Sequence, residues 1–232
     1  MRTIGVQVPG GLAERIALPV VNLYRTGDLP ADIAVLSEPL SIAEHAVARG
    51  GVAQGDQVVV FGAGPVGQAI LVVARDRGAR VLVVDPLPAR LELAAAFGAE
   101  ETVDAGSGDP EAAIASWTNG EGPVGIFDAT GVPAVLESAV RALAASGTIV
   151  IVGLSSKPAC IPLINFTRKE LNVLGSRNNL GVFGAAVDTV TRHAATLGRM
   201  VTHRFPLERT AEALEMMANH PEETEKVIVT LR

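Results

Sequence analysis

The chain has one cysteine, Cys160, among 232 residues. That excludes a disulfide framework and any metal site assembled from several cysteines of this chain. The opening stretch, "MRTIGVQVPGG", lacks the long apolar segment of a signal peptide, so none is expected. The longest apolar stretch, around "ALAASGTIVIVGL", is too short to span a bilayer and carries turn residues. A basic excess is missing too. The net charge is −6, with acidic and basic residues interspersed, and nothing would track a phosphate backbone. The chain contains no internal repeat and no low-complexity tract. These absences together predict a soluble, cytoplasmic protein with no nucleic-acid or membrane partner.

What is present is apolar patterning. Apolar residues make up 48% of the chain, enough to bury a sizeable core. From about residue 56, β-branched runs alternate with helical patterns. The runs are "QVVVFG", "RVLVVD", "ETVDA", "VGIFDATG", "TIVIVGL" and "LNVLGS". Between them lie residues 64–77, "PARLELAAAFG", "PEAAIASWTNG" and "PAVLESAVRALAASG", with "LINFTRKE" as a short helix and "FGAAVDTVTRHAATLG" as one longer helix. Strand–helix alternation predicts a parallel sheet covered on both faces. Six strands in two groups of three predict an α/β, doubly wound (Rossmann) sheet. The ends depart from this rhythm. "GGLAERIALP" reads as a strand pair around a turn. Residues 203–232 read as a strand, an amphipathic helix with Met216 and Met217 toward the core, and a last strand. The acid run "HPEETE" reads as a solvated face or turn.

The stretch "VVVFGAGPVGQA" carries Gly62, Gly64 and Gly67 in a G-x-G-x-x-G pattern, after a predicted strand and at the opening of a predicted helix. That context is what a dinucleotide cradle requires. Gly62 turns the chain sharply, Gly64 clears space for a pyrophosphate, and Gly67 lets helix and strand pack closely. The helix N-terminus then offers free N–H groups and a positive dipole end to phosphate. The competing reading is a strand–turn–helix with glycines for packing only. Asp85 ends the second strand, 18 residues after Gly67. A carboxylate there accepts hydrogen bonds from ribose hydroxyls and repels a 2′-phosphate, which favours NAD over NADP. It also suits a helix N-cap before Pro86, and the two roles are compatible. Arg90 either lies over the adenine or pairs with the helix surface, and it leaves some room for NADP.

Taken together, these residues resemble the zinc-type medium-chain alcohol dehydrogenases, in the polyol and sugar-acid branch typified by sorbitol dehydrogenase. The stretches "GGLAERIALPVVNLYRTG", "SEPLSIAEHAV", "GAGPVGQ", "VVDPLPARLELAAAFGA", "DATG", "GTIVIVGL", "LNVLGSRNN" and "HRFPLERTAEAL" carry the resemblance, in order, over nearly the whole chain. "SEPL" and "GSRNN" speak against a zinc-independent reductase of the same superfamily. The resemblance implies that Val66, Val152, Gly153 and Leu154 line the cofactor, and that Ser176 and Arg177 approach its nicotinamide end or phosphate. Gly153 and Leu154 as a plain turn, and Arg177 as a surface charge, are the alternatives. It further implies three parts. Residues 1–37 are the remnant of a GroES-like catalytic β lobe, 38–200 the NAD-binding domain, and 201–232 the return to that lobe. The small-molecule substrate would be a secondary alcohol of a polyol or sugar acid. The sixth strand, "ELNVLGS", would pair with its copy in a homodimer or homotetramer, since it lacks the prolines and lysines that protect an exposed edge.

The sequence departs from the family at its beginning, where the resemblance places the cysteine and the histidine–glutamate pair that hold zinc. A catalytic zinc needs three protein ligands and an open position. Cys160 has no ligand-like spacing around it and reads as a small buried or half-buried apolar residue. His45, His193, His203 and His220 are scattered over separate elements. No metal site is therefore expected. Glu38, in "SEPL", is the one acid that the resemblance places near zinc. Its other reading is helix-start chemistry, with Ser37 as cap and Glu38 complementing the dipole beside Pro39. Two functions follow: an NAD-dependent alcohol dehydrogenase, or a truncated NAD-binding module with no dehydrogenase activity of its own.

Overall fold

In a computed structural model, which describes residues 3–231, the alternating pattern becomes a single six-stranded parallel sheet. The strands are β1 (Gln57–Phe61), β2 (Arg80–Asp85), β3 (Glu101–Asp104), β4 (Gly125–Asp128), β5 (Thr148–Ile151) and β6 (Asn172–Gly175), in the spatial order β3-β2-β1-β4-β5-β6. This is the doubly wound order, with its reversal between β1 and β4. Before the sheet come α1 (Ala31–Ala34) and α2 (Ser37–Arg49). The crossover helices are α3 (Pro65–Asp76), α4 (Pro88–Ala96), α5 (Pro110–Trp117), α6 (Pro133–Ala142) and the short α7 (Ile164–Lys169). Four of them open on a proline in the first turn, where the missing N–H costs no helical hydrogen bond.

The pleat sorts the apolar residues into two cores. Val58 and Val60 of β1, with Val81 and Val83 of β2, face α2, α3 and α8 (Phe183–Arg192). Val59, Phe61, Leu82 and Val84 face the opposite side, toward α5 and α6. Strands buried on both faces read as continuous apolar runs for this reason. Val58, Val59 and Val60 are all fully buried, and each contributes roughly 1.5–3 kcal/mol by leaving water. β6 lies at the edge of the sheet, and Val173 on it is exposed.

Beyond α9 (Ala194–Leu197), β7 (Val201–Pro206), α10 (Thr210–Asn219) and β8 (Lys226–Thr230) form a separate unit, in which β7 and β8 pair in parallel. Val201 and Ile228 join the same core as α2 and α3.

The structure corrects several expectations. "GGLAERIALP" forms no strand pair. Residues 9–19 have no regular structure, and an isolated bridge joins Ile4 to Val8. Residues 183–198 are not one helix: the chain breaks at His193 between α8 and α9. Ser37 does not cap α2. Val35 and Leu36 continue the helical turn of α1, so Ser37 sits inside the helix, buried. Cys160 is exposed, because the connection after β5 runs over the surface. Met217 is exposed and Met216 half-buried, since α10 buries only Ala213. In "HPEETE" the outer acids are solvated, but Thr224 and Glu225 are buried.

Candidate functional site

The carboxyl ends of the strands build the site. β1 leads into the glycine loop and then into α3. Gly62 has φ +90°, a left-handed conformation that side chains disfavour. A Cβ on Gly67 would stand 1.8 Å from the carbonyl oxygen of Gly62, so only glycine lets the helix approach the loop. At Gly64 the situation is reversed. A Cβ there would meet nothing closer than the Arg90 guanidinium, 3.8 Å away, so the backbone faces open space. Gly64 is also the N-cap of α3 and supplies no side-chain cap. The helix thus presents uncapped N–H groups beside a cation, which suits an anion.

Two cavities flank this loop. The smaller, about 200 Å³, is lined by Phe61, Gly62, Val84, Asp85, Pro86 and residues of α5 and α6. The larger, about 520 Å³, is lined by Val66, Ala129, Val152, Gly153, Leu154, Ser176, Arg177 and Asn178, with Ile42, Thr3 and Val6. One lies over the ends of β1 and β2 and the other over those of β4, β5 and β6, on either side of the point where the winding reverses. The structure thus brings Val66, Val152, Gly153, Leu154, Ser176 and Arg177 together, and sets Asp85 at the other end of the crevice.

Asp85 is 4% exposed. Its Oδ2 accepts from the Ala63 N–H at 2.7 Å and its Oδ1 from the Leu87 N–H at 2.9 Å. The second bond is a local turn over Pro86, and Leu87 rather than Asp85 is the N-cap of α4. Each oxygen keeps a second lone pair for a ligand hydroxyl. Arg90 does not lie free on its helix. Its Nη1 stands 4.0 Å from Asp85 Oδ2, and its Nε stands 3.5 Å from Glu225 Oε2. Ser176 is 7% exposed and its hydroxyl has no partner, although the residue borders the larger cavity. A buried hydroxyl beside a cavity can bond a ligand or a water held there.

Asp128 and Asn179 were missing from the reading of the sequence. Asp128 Oδ1 accepts from the Thr130 N–H, the Thr130 hydroxyl and the Gly131 N–H, fixing the loop after β4 against the crevice. The "DATG" stretch held the signal for it: a carboxylate followed two residues later by threonine builds such a turn. Asn179 Nδ2 donates to Ser41 Oγ at 2.8 Å and ties the loop after β6 to α2. No short-range pattern announces that pairing.

The remaining candidates do not converge. Glu38 is exposed in the first turn of α2. Cys160 lies in the surface connection, His45 is half-buried on α2, and His203 lies in β7. Among the described residues, the group of metal-capable side chains that comes together is His220, Glu222 and Glu223, all exposed. Neither Glu38 nor Cys160 belongs to it.

Residues 65–195 match the family model described as zinc-binding dehydrogenase. The chain belongs to this family. L-galactonate-5-dehydrogenase of Escherichia coli strain K12 is 33% identical over 228 residues, 98% of this chain and 67% of that protein. The crystal structure of the short chain alcohol dehydrogenase RspB of E. coli CFT073, complexed with the cofactor NADH, superposes with a TM-score of 0.91 at 28% identity. That match covers 97% of this chain and 67% of RspB. A zinc-binding dehydrogenase of Sinorhizobium meliloti 1021, bound to NADP, gives a TM-score of 0.90 at 29% identity, covering 99% of this chain and 68% of that one. This zinc-binding dehydrogenase chain thus spans about two thirds of the length of these relatives. No helix among its described residues is long and apolar enough to cross a membrane.

Proposed function

We propose that this chain binds NAD across the two cavities and serves a dehydrogenase that acts on a secondary alcohol of a polyol or sugar acid. The observation that carries this reading is the crevice itself. An uncapped helix start and an open Gly64 lie between a carboxylate-bordered cavity and a larger cavity bordered by the Ser176 hydroxyl. In it, Asp85 receives the ribose hydroxyls of the adenosine half. The α3 N-terminus and Arg90 hold the pyrophosphate. Val66 and the Val152–Leu154 turn bound the nicotinamide end, with Ser176 and Arg177 beside it. NAD, when bound, supplies the hydride acceptor.

The described residues do not fit a catalytic zinc in this crevice. The grouped His220, Glu222 and Glu223 are exposed at the end of α10, and no three metal-capable side chains meet at the larger cavity. No step through zinc is derived. This favours a second reading for the chain on its own, a dinucleotide-binding module without turnover.

A calorimetric titration with NAD and NADP tests the proposal. NAD is expected to bind at least about tenfold more tightly, because a 2′-phosphate against the buried Asp85 carboxylate costs on the order of a kcal/mol or more. Asp85→Ala narrows the gap. Equal or tighter NADP binding would refute the Asp85 assignment. NADH formation from a panel of polyols and sugar acids separates the dehydrogenase from the binding module. The exposed β6 edge supports a homodimer or homotetramer, and a monomer by light scattering at micromolar concentration would argue against that assembly.

A further inference from the structure

Glu225 stands at the entry to β8 and is 8% exposed. Both of its carboxylate oxygens are buried without a hydrogen-bond partner, and so is Nε of Arg90, 3.5 Å away. The Arg90 guanidinium is held from several directions. Asp85 lies 4.0 Å from its Nη1, and the Pro221 carbonyl accepts from its Nη2 at 3.4 Å. The buried Gln68, one residue past the glycine motif, donates to the Arg90 carbonyl at 2.9 Å. The Thr202 hydroxyl accepts from the Glu225 N–H and fixes the backbone there. Buried carboxylate and guanidinium therefore share one ion-pair contact, with unmet hydrogen-bonding capacity on both, at the open side of Gly64.

We propose that Glu225 is a positioning residue of the dinucleotide site: it holds the Arg90 guanidinium at the mouth of the glycine loop and yields it to the dinucleotide's phosphate when its carboxylate takes up a proton. This rests on the NAD-binding reading above. While ionised, Glu225 competes with the ligand phosphate for the one arginine that both need. Protonated, it stops competing and its O–H becomes a donor.

The surroundings of Glu225 favour this exchange near neutrality. Burial pushes its carboxyl up to about 8, Asp85 adds to the rise, and Arg90 and Lys226 oppose it. The other charged groups facing the small cavity beside it are Glu92 on α4, Arg199 before β7, and Glu222 and Glu223 on its own segment. Aspartate and glutamate side chains at ordinary values stay ionised, and lysine and arginine stay protonated, between pH 7 and about 9.5. Glu225 is the carboxyl of this group that burial pushes toward that range.

The test is calorimetric titration of the whole chain with NAD from pH 7 to about 9.5, in buffers of different ionisation enthalpy. The wild-type Kd is expected to rise about five- to tenfold over that range, with proton uptake on binding above about pH 8. E225Q, which cannot ionise, should hold its neutral-pH affinity within about twofold throughout. E225D should restore the slope, which a merely structural role would not do. Cys160→Ser, a change in the exposed connection after β5, should leave the profile unchanged. An equal slope in the wild type and E225Q, or weak binding by E225Q at every pH, would overturn the role of Glu225 and leave NAD binding intact. Absence of NAD binding by every protein at every pH would overturn the NAD-binding reading and this inference with it.

Discussion

The two stretches that flank the six-stranded unit are attached to it differently. The C-terminal one, from β7 to β8, sends Val201 and Ile228 into the main core and Glu225 to Arg90. The N-terminal one leaves Ile4, Val6, Leu12, Ile16, Val20, Val21 and Leu23 exposed, with Val20 and Val21 81% and 82% open to solvent. It is held by Tyr24, whose ring lies 4.9 Å from that of Phe183, by Leu29 and Ile33, which pack on the core, and by Asp32, which pairs with Arg204 of β7. The contrast shows that apolar content alone does not dock a segment. The C-terminal stretch has two strands that satisfy each other's backbone groups and so can bury a face. Residues 9–19 have no such partner, and their carbonyl and N–H groups keep them in water. An apolar surface of this kind is an interaction site or an aggregation hazard.

Three variants probe the contrast. Ile228→Ala should cost about 3 kcal/mol, measured by urea denaturation, because β8 would lose a side chain packed in the main core. A loss below about 1 kcal/mol would show that the C-terminal unit is as loosely held as the N-terminal stretch. Glu225→Gln should act through pH. The folded carboxyl sits near 8, against an ordinary 4.5, so the folded state holds a proton that the unfolded chain gives up between those values. The stability it contributes is complete below about pH 4.5 and falls as pH rises through about 8. The glutamine variant should therefore be more stable than wild type at pH 9, by roughly 2 kcal/mol, and gain nothing at pH 5. An equal effect at both pH values would sever Glu225 from that titration. Val20→Ser combined with Val21→Ser should change stability by less than about 0.5 kcal/mol while reducing self-association in light scattering. A larger loss would mean that this stretch is packed after all.

The same contrast explains what could be read in advance. β1, β2, β4 and β5 were legible because strands buried on both faces leave uninterrupted runs, such as Val58–Phe61 and Val81–Val84, while the open edge strands β3 and β6 were legible from the strand–helix alternation. The glycine loop was legible because its constraints are local: a turn at Gly62 and a close approach at Gly67. Glu225 was not. It lies in a run of acids whose other members are solvated, and it is buried by Arg90 on a helix far away in the chain. The Ser37 cap was misread because the turn before it, Val35 and Leu36, already supplies the helical backbone. "GGLAERIALP" offers apolar residues beside a glycine turn signal, but that pattern does not provide the neighbour that a strand must pair with.

The place of Arg90 and Glu225 along the chain also sets an order of events during synthesis. A ribosome delivers β1 through β6 before the residues that form β8, and domains tend to fold as units while the chain is still growing. Arg90 therefore takes its place beside Asp85 in a sheet that is already closed, and it waits there without its second carboxylate. β8, which leaves the tunnel after the strands of that sheet, carries that carboxylate in. The ion pair that borders the glycine loop then forms after the sheet, and a chain stalled before β8 would present a completed sheet whose arginine, at the phosphate cradle, has Asp85 but not Glu225 beside it.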